Sequence, residues 1–133
     1  MQFHELLQGS GPIVADGGMG TMLFALGLTQ GAAPERWNVD QPNHIRSVYR
    51  SYIEAGAQII LSNTFGGSPP CLARHELQDR CAELNTAAAR LARAEADDAM
   101  RPVVVAGSIG PMGEFFAPMG TLTPEDAQAD FAQ

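Results

Sequence analysis

Three apolar runs punctuate the chain: Ile13-Val14-Ala15, Ile59-Ile60-Leu61 and Val103-Val104-Val105-Ala106, each with its apolar residues consecutive, not alternating. Consecutive apolar residues suit strands covered on both faces, the habit of parallel sheets. Between the runs the spacing changes to a helical period. Ile45, Val48, Tyr49, Tyr52 and Ile53 recur at i, i+3, i+4, i+7 and i+8, which draws one stripe down a helix. Asp40 can cap its start and Gly56 sits near its end. A second helix is expected over about 70–98, with Leu77, Cys81, Leu84, Ala88 and Leu91 on one stripe. A short apolar helix, Met22 to Leu26, follows the first run, and a last one opens at Thr123 as N-cap with Pro124 in the first helical position. The pattern is βαβαβ, an α/β fold.

Three parallel strands alone leave unpaired edges and uncovered apolar faces. The last helical pattern runs to Gln133 without a stop signal. A (β/α)8 barrel takes about 250 residues, so the expected architecture is the opening βα units of such a TIM barrel, incomplete in this chain. Residues 1–133 then form the N-terminal part of one domain, and either further polypeptide or self-association covers the open sheet.

With 45% hydrophobic and 17% charged residues the chain has the balance of an ordinary globular protein. Its net charge of -7 repels phosphate backbones and anionic lipid surfaces, which argues against nucleic acid and membrane as partners. Residues 1–11 lack a basic start followed by an apolar run, and no stretch approaches the roughly 18 apolar residues of a membrane span. The expected location is the cytoplasm. Cys71 and Cys81 match neither a zinc ribbon nor a disulfide framework and read as free thiols. Cys81 falls on a packing stripe and Cys71 near its helix's start, so neither is expected to point into the mouth described next.

Each run is followed by a polar or glycine-rich turn: Asp16-Gly17-Gly18-Met19-Gly20-Thr21, Ser62-Asn63-Thr64-Phe65-Gly66-Gly67 and Gly107-Ser108-Ile109-Gly110-Pro111. In parallel α/β folds ligands bind at that end of the strands. Glycine lets backbone N–H groups approach a ligand, and N–H groups at a helix start attract anions. Asp16 beside such a nest can hold an ammonium while Gly17 and Gly18 hold a carboxylate, a grip for an α-amino acid. The bland alternative makes Asp16 a turn cap. A dinucleotide loop is excluded, because Leu23 stands where the third glycine belongs. Asn63 and Thr64 can donate and accept hydrogen bonds to a substrate or simply cap the strand. Phe65, Phe115 and Phe116 can line a pocket or pack. His4, His44 and His75 have no partner at ligand spacing, and no serine or cysteine shows a nucleophile motif. A binding mouth emerges without a visible catalytic residue.

Six ordered blocks add a family signal. The turn at 16–21, Ala33-Pro34-Glu35-Arg36-Trp37-Asn38-Val39-Asp40, Glu54-Ala55-Gly56-Ala57, the turn at 62–67, Glu83-Leu84-Asn85 and Val105-Ala106-Gly107-Ser108-Ile109-Gly110-Pro111 follow one another as in homocysteine S-methyltransferases. The block at 37–40, with Gly113-Glu114, is most similar to the bacterial betaine-homocysteine type. The resemblance implies a homocysteine-binding barrel in which zinc holds the homocysteine thiol as a thiolate, which takes a methyl group from an onium donor such as glycine betaine to give methionine. It assigns Asp16, Gly17 and Gly18 to the amino-acid end of homocysteine. Trp37, Phe65, Phe115 and Phe116 are candidates for an aromatic wall around a cationic donor. The family's three zinc-binding cysteines lie on later strands, beyond residue 133, and Cys71 and Cys81 match none of them, so no metal ligand is assigned here. A further acidic residue that helps hold the amine also lies beyond that point. The same barrel opening occurs in the homocysteine-binding module of cobalamin-dependent methionine synthases, and a non-catalytic fragment acting by association is a third reading.

Overall fold

The computed structural model describes residues 3–133; Met1 and Gln2, which open the N-terminal arm read above, lie outside the described residues. The chain is mixed α/β. Short helices α1 (Phe3–Leu7) and α2 (Gly20–Ala25) precede a 3-10 turn at Pro34–Arg36, α3 (Trp37–Asp40) and the long α4 (Pro42–Glu54). Strand β1 (Ile59–Leu61), α5 (Pro69–Ala73), a 3-10 turn at Gln78–Arg80, α6 (Cys81–Asp97), β2 (Val104–Ala106) and α7 (Pro124–Phe131) complete it.

β1 and β2 pair in parallel with Ile59 opposite Val104, Ile60 opposite Val105 and Leu61 opposite Ala106. The first expected strand shrinks to a parallel bridge between Ala15 and Ile59 on the other side of β1. A competing side chain is the reason. The Val14 N–H goes to the Gln58 side chain at 3.1 Å instead of to a neighbouring strand, and Pro12 has no N–H to give. The order is nonetheless sequential, with residues 14–16, β1 and β2 side by side and all running the same way.

Burial of the strands is one-sided. Ile60 and Val103 are sealed under the helices, whereas Val14 is 49% and Leu61 38% exposed. The consecutive apolar runs were expected to be covered on both faces. Within the described residues only the helical side is covered.

α4 has the predicted stripe, with Ile45, Val48, Tyr49 and Ile53 buried. Its start differs from expectation: Gln41 is the N-cap, and Asp40 ends α3, 3.8 Å from Arg36 in an exposed ion pair. Its stop is a Schellman turn, in which Gly56 at φ +112° lets Gly56 N–H reach Ile53 O and Ala57 N–H reach Tyr52 O, each at 3.0 Å. Arg101 donates to the Ile53 and Ala57 carbonyls at the same end, placing a cation where the helix dipole is negative. Buried Glu95 of α6 accepts hydrogen bonds from both Arg46 and Arg50 of α4, which locks the two helices together.

The single helix expected over 70–98 is two helices. Glu76 adopts φ +58°, and Leu77 N–H returns to Leu72 O at 3.0 Å. The kink drives Leu77 into a small core with Ala33, Leu72, Cys81 and Leu84. Neither glycine nor proline marks that break. α7 starts as expected, with Thr123 accepting from Asp126 N–H at 3.1 Å and the Asp126 carboxylate accepting from Thr123 N–H at 3.3 Å, a reciprocal capping box. It ends at Phe131 instead of continuing to Gln133.

Candidate functional site

The three turns meet around one cavity of about 630 Å³, whose lining includes Asp16, Gly17, Glu35, Asn63, Phe65, Cys71 and Ser108. It opens at the ends of the parallel strands, where the strand pattern places ligands.

The first turn is fixed by its backbone. Asp16 N–H donates to Ile59 O at 2.9 Å, and Asp16 Oδ2 accepts from Leu61 N–H at 2.9 Å. The carboxylate therefore caps β1 with one oxygen, so the bland reading is true of half the group. Burial pushes its pKa above the ordinary 3.8, and the Leu61 N–H and its own N–H pull it part of the way back. Gly17 is glycine because Tyr52 lies against it: a Cβ there would come within 2.9 Å of the Tyr52 hydroxyl. That hydroxyl donates to Gly18 O at 2.8 Å. Among the described residues the N–H groups of Gly17, Gly18 and Met19 have no hydrogen-bond partner, which leaves them available to a ligand.

The second turn is held from behind. Tyr49 of α4 accepts Asn63 N–H at 2.8 Å, and burial lifts its phenol far above the usual range, so it stays a neutral hydroxyl. Asn63 spends both amide hydrogens on protein, one on Pro34 O and one on Asn38 Oδ1, each at 2.9 Å. Asn38, itself buried, donates back to Asn63 O at 2.9 Å. Asn63 lines the cavity while this reciprocal amide pair sets its position. Thr64 turns elsewhere: its hydroxyl donates to Ser108 O at 2.7 Å and meets Ser62 Oγ at 2.7 Å, and it lines a second, smaller cavity. These bonds tie the second turn to the third. Gly110 completes the tie, because a Cβ there would collide with the Phe65 carbonyl oxygen.

Of the four aromatic candidates, Phe65 alone lines the cavity. Trp37 stacks on His44 with ring centroids 5.2 Å apart and packs on the main core. Phe115 and Phe116 are 69% and 50% exposed on the segment beyond the third turn. Cys71 corrects the expectation for its thiol: it lines the cavity and donates to Pro111 O at 3.2 Å, because the kink after α5 turns that short helix toward the third turn. His75, four residues on, lines the same cavity together with Arg74. Cys81 stays in the core as expected, donating to Gly67 O at 3.2 Å, with burial raising its thiol pKa.

Pattern reading missed the polar ends of otherwise buried residues. On the helical stripe Tyr49 and Tyr52 read as apolar positions, yet their hydroxyls hold two of the three turns. Glu35 stands in the sequence as one position of a family block, yet it is buried and its Oε1 accepts Gly66 N–H at 2.7 Å. A tyrosine on a packing stripe is the signal that was present, since a buried hydroxyl needs a partner.

The model of the homocysteine S-methyltransferase family matches residues 13–133, the stretch that contains all three turns. The chain belongs to the homocysteine S-methyltransferase family. A methionine synthase of Mycobacterium tuberculosis (strain ATCC 25618 / H37Rv) is 34% identical to this homocysteine S-methyltransferase segment over 129 residues, covering 90% of this chain and 10% of that one. The methionine synthase of Mycobacterium leprae (strain TN) is 32% identical over 108 residues, 74% of this chain and 9% of its own. The homocysteine methyltransferase MmuM from Escherichia coli, in its oxidized form, superposes with a TM-score of 0.72 at 28% identity over 83% of this chain and 41% of that chain. Its metallated form also gives 0.72 at 28%, over 82% and 41%. The segment thus spans about a tenth of the curated relatives and under half of the solved structure.

No group of three or more His, Cys, Asp and Glu suited to a metal ion occurs among the described residues. Cys71 and Cys81 face different carbonyls, of Pro111 and Gly67, so the residues present do not fit a thiolate metal site. No helix among the described residues is long and apolar enough to cross a membrane.

Proposed function

We propose that this chain is the N-terminal, homocysteine-binding part of a (β/α)8 barrel that transfers a methyl group to the sulfur of homocysteine, giving methionine. The observation that supports it is the convergence of Asp16 and Gly17 of the first turn with Asn63 on one cavity, which Gly18 adjoins without lining, in a segment of this family. The free oxygen of Asp16 takes the substrate ammonium. The unpaired N–H groups of Gly17 and Gly18 take its carboxylate. Asn63, locked by Asn38, and Thr64, through its bond to Ser108, shape the wall beside them.

The chemistry is a displacement in which the sulfur forms a bond to the methyl carbon as the donor's bond to that carbon breaks. A thiol of pKa about 8.5 is mostly protonated at neutral pH and needs activation. The zinc that the family resemblance implies for this purpose finds no fitting ligand set among the described residues, so its donors belong to other parts of the barrel. The donor is read as a small onium compound, glycine betaine. Phe65 is in place to face its cationic head; Trp37, Phe115 and Phe116 stand outside the cavity and need the remainder of the protein to take part.

A second donor, methylcobalamin, is the reading for the cobalamin-dependent methionine synthases whose barrel opening this chain resembles, and both mycobacterial relatives are methionine synthases. In either case the exposed side of the sheet, with Val14 and Leu61, is the surface for the rest of the barrel to cover. Full-length protein supplied with homocysteine and either glycine betaine or methylcobalamin is expected to form methionine from betaine. Methionine from methylcobalamin alone moves the protein to the second reading, and none from either donor leaves a binding or association role.

A further inference from the structure

The cavity contains a second carboxylate for which the substrate grip has no use. Glu35 sits in the middle of the Pro34–Arg36 turn, is only 4% exposed, and lines the cavity. One oxygen, Oε1, accepts Gly66 N–H at 2.7 Å. The other, Oε2, has no hydrogen-bond partner among the described residues and is not sealed from the open cavity. No cation of the cavity pairs with it: Arg36 lies 3.8 Å from Asp40, Arg74 donates to Gly113 O at 3.2 Å, and neither Arg74 nor His75, which share the lining, forms an ion pair with Glu35. A carboxylate this deeply buried is seldom left without a counter-charge, because removing it from water is heavily penalised unless it is paired. A lone backbone N–H offsets only part of that penalty. If Glu35 served solely to hold the Phe65-Gly66 turn, a glutamine would accept the same N–H without burying a charge.

We infer that Glu35 is a second cation contact of this cavity, its Oε2 receiving the positively charged group of a small organic ligand. The inference rests on the homocysteine reading of the cavity and extends it. Two sources of that cation exist in the proposed reaction, the ammonium of homocysteine and the onium head of the methyl donor, and both are the same chemistry to a carboxylate. Glu35 then shares the ammonium with Asp16 or reads the donor's charge from the wall that carries Phe65.

Glu35→Gln in the full-length protein separates these roles, since the amide oxygen keeps the Gly66 bond and only the charge is lost. Calorimetric titrations with L-homocysteine, with 4-mercaptobutanoate, which lacks the ammonium, and with glycine betaine form the arms. The expected result is a loss of about tenfold or more in affinity for a cationic ligand with 4-mercaptobutanoate unchanged. Loss confined to homocysteine assigns the contact to the substrate, and loss confined to betaine assigns it to the donor. Parent-like affinity for both overturns the inference, as does an equal loss for 4-mercaptobutanoate, which marks a change of cavity shape. A parent that binds homocysteine alongside an unaffected variant leaves the functional reading standing; a parent that binds neither cationic ligand removes both. Should circular dichroism show the variant unfolded, parent protein labelled with carboxyl-13C glutamate gives the answer. The Glu35 carboxyl resonance, assigned through its own backbone, moving with homocysteine or betaine but not with 4-mercaptobutanoate supports the contact, and its staying fixed overturns it.

Discussion

Replacing Asp16 by Asn isolates the charge on which the proposed substrate grip depends. The amide oxygen of Asn still accepts the Leu61 N–H that Asp16 Oδ2 accepts at 2.9 Å, so the turn keeps its anchor and only the negative charge is removed. An ammonium 3–4 Å from the carboxylate at an effective dielectric near 20 is attracted by about 4 kcal/mol. Desolvating both groups takes back part of this, and a charge-assisted hydrogen bond nets about 1.5–3 kcal/mol. That corresponds to a rise of about 10- to 150-fold in Kd for homocysteine, to be read by titration calorimetry on the full-length protein. The pH dependence has a definite sign. Burial lifts the Asp16 pKa above 3.8, so just above that value the folded parent keeps a proton that the unfolded chain has released. Parent stability therefore falls as pH rises through the folded pKa, while homocysteine binding, which needs the ionised form, strengthens over the same window. Asp16→Asn should lose both dependences and be at least as stable as the parent at neutral pH. A variant that binds homocysteine within twofold of the parent would refute the grip and leave Asp16 as a cap for β1.

Three further changes test the framework. Gly110→Ala drives a Cβ into the Phe65 carbonyl and should cost about 1–3 kcal/mol by overpacking while weakening homocysteine binding; unchanged chemical melts and titrations would show that the third turn moves freely. Glu76→Gly relieves a left-handed residue at φ +58° and should raise stability by about 1 kcal/mol, seen as a higher urea midpoint at constant m-value. Thr123→Ala removes the acceptor for Asp126 N–H and should lower stability by about 1 kcal/mol; an unchanged midpoint means that α7 does not depend on its cap.

How much of this was legible before folding depends on whether the relevant signal is local. The stripe of α4, the N-cap at Thr123 with Pro124 after it and the stop near Gly56 all come from near neighbours along the chain. Period, caps and glycine conformations are set by residues within one turn of helix. The family blocks were legible for the same reason, since each is a short contiguous string. What escaped was decided across the chain. The first strand shrinks because a side chain 44 residues away takes its N–H. The helix expected over 70–98 breaks at Glu76, and beyond the break Leu77 is buried in a core with Ala33 and Leu84. The same kink brings Cys71 to the cavity. Asn63 is positioned by Asn38 from 25 residues upstream and by Tyr49, and Glu35 meets Gly66 across 31 residues. Buried polar groups must find partners wherever the fold puts them, and no pattern of neighbours along the chain records which partner that is. Residue types and local periods determined the βα units and the chemistry available at their ends; only tertiary packing decided which of those side chains face the cavity and which are spent on holding it open.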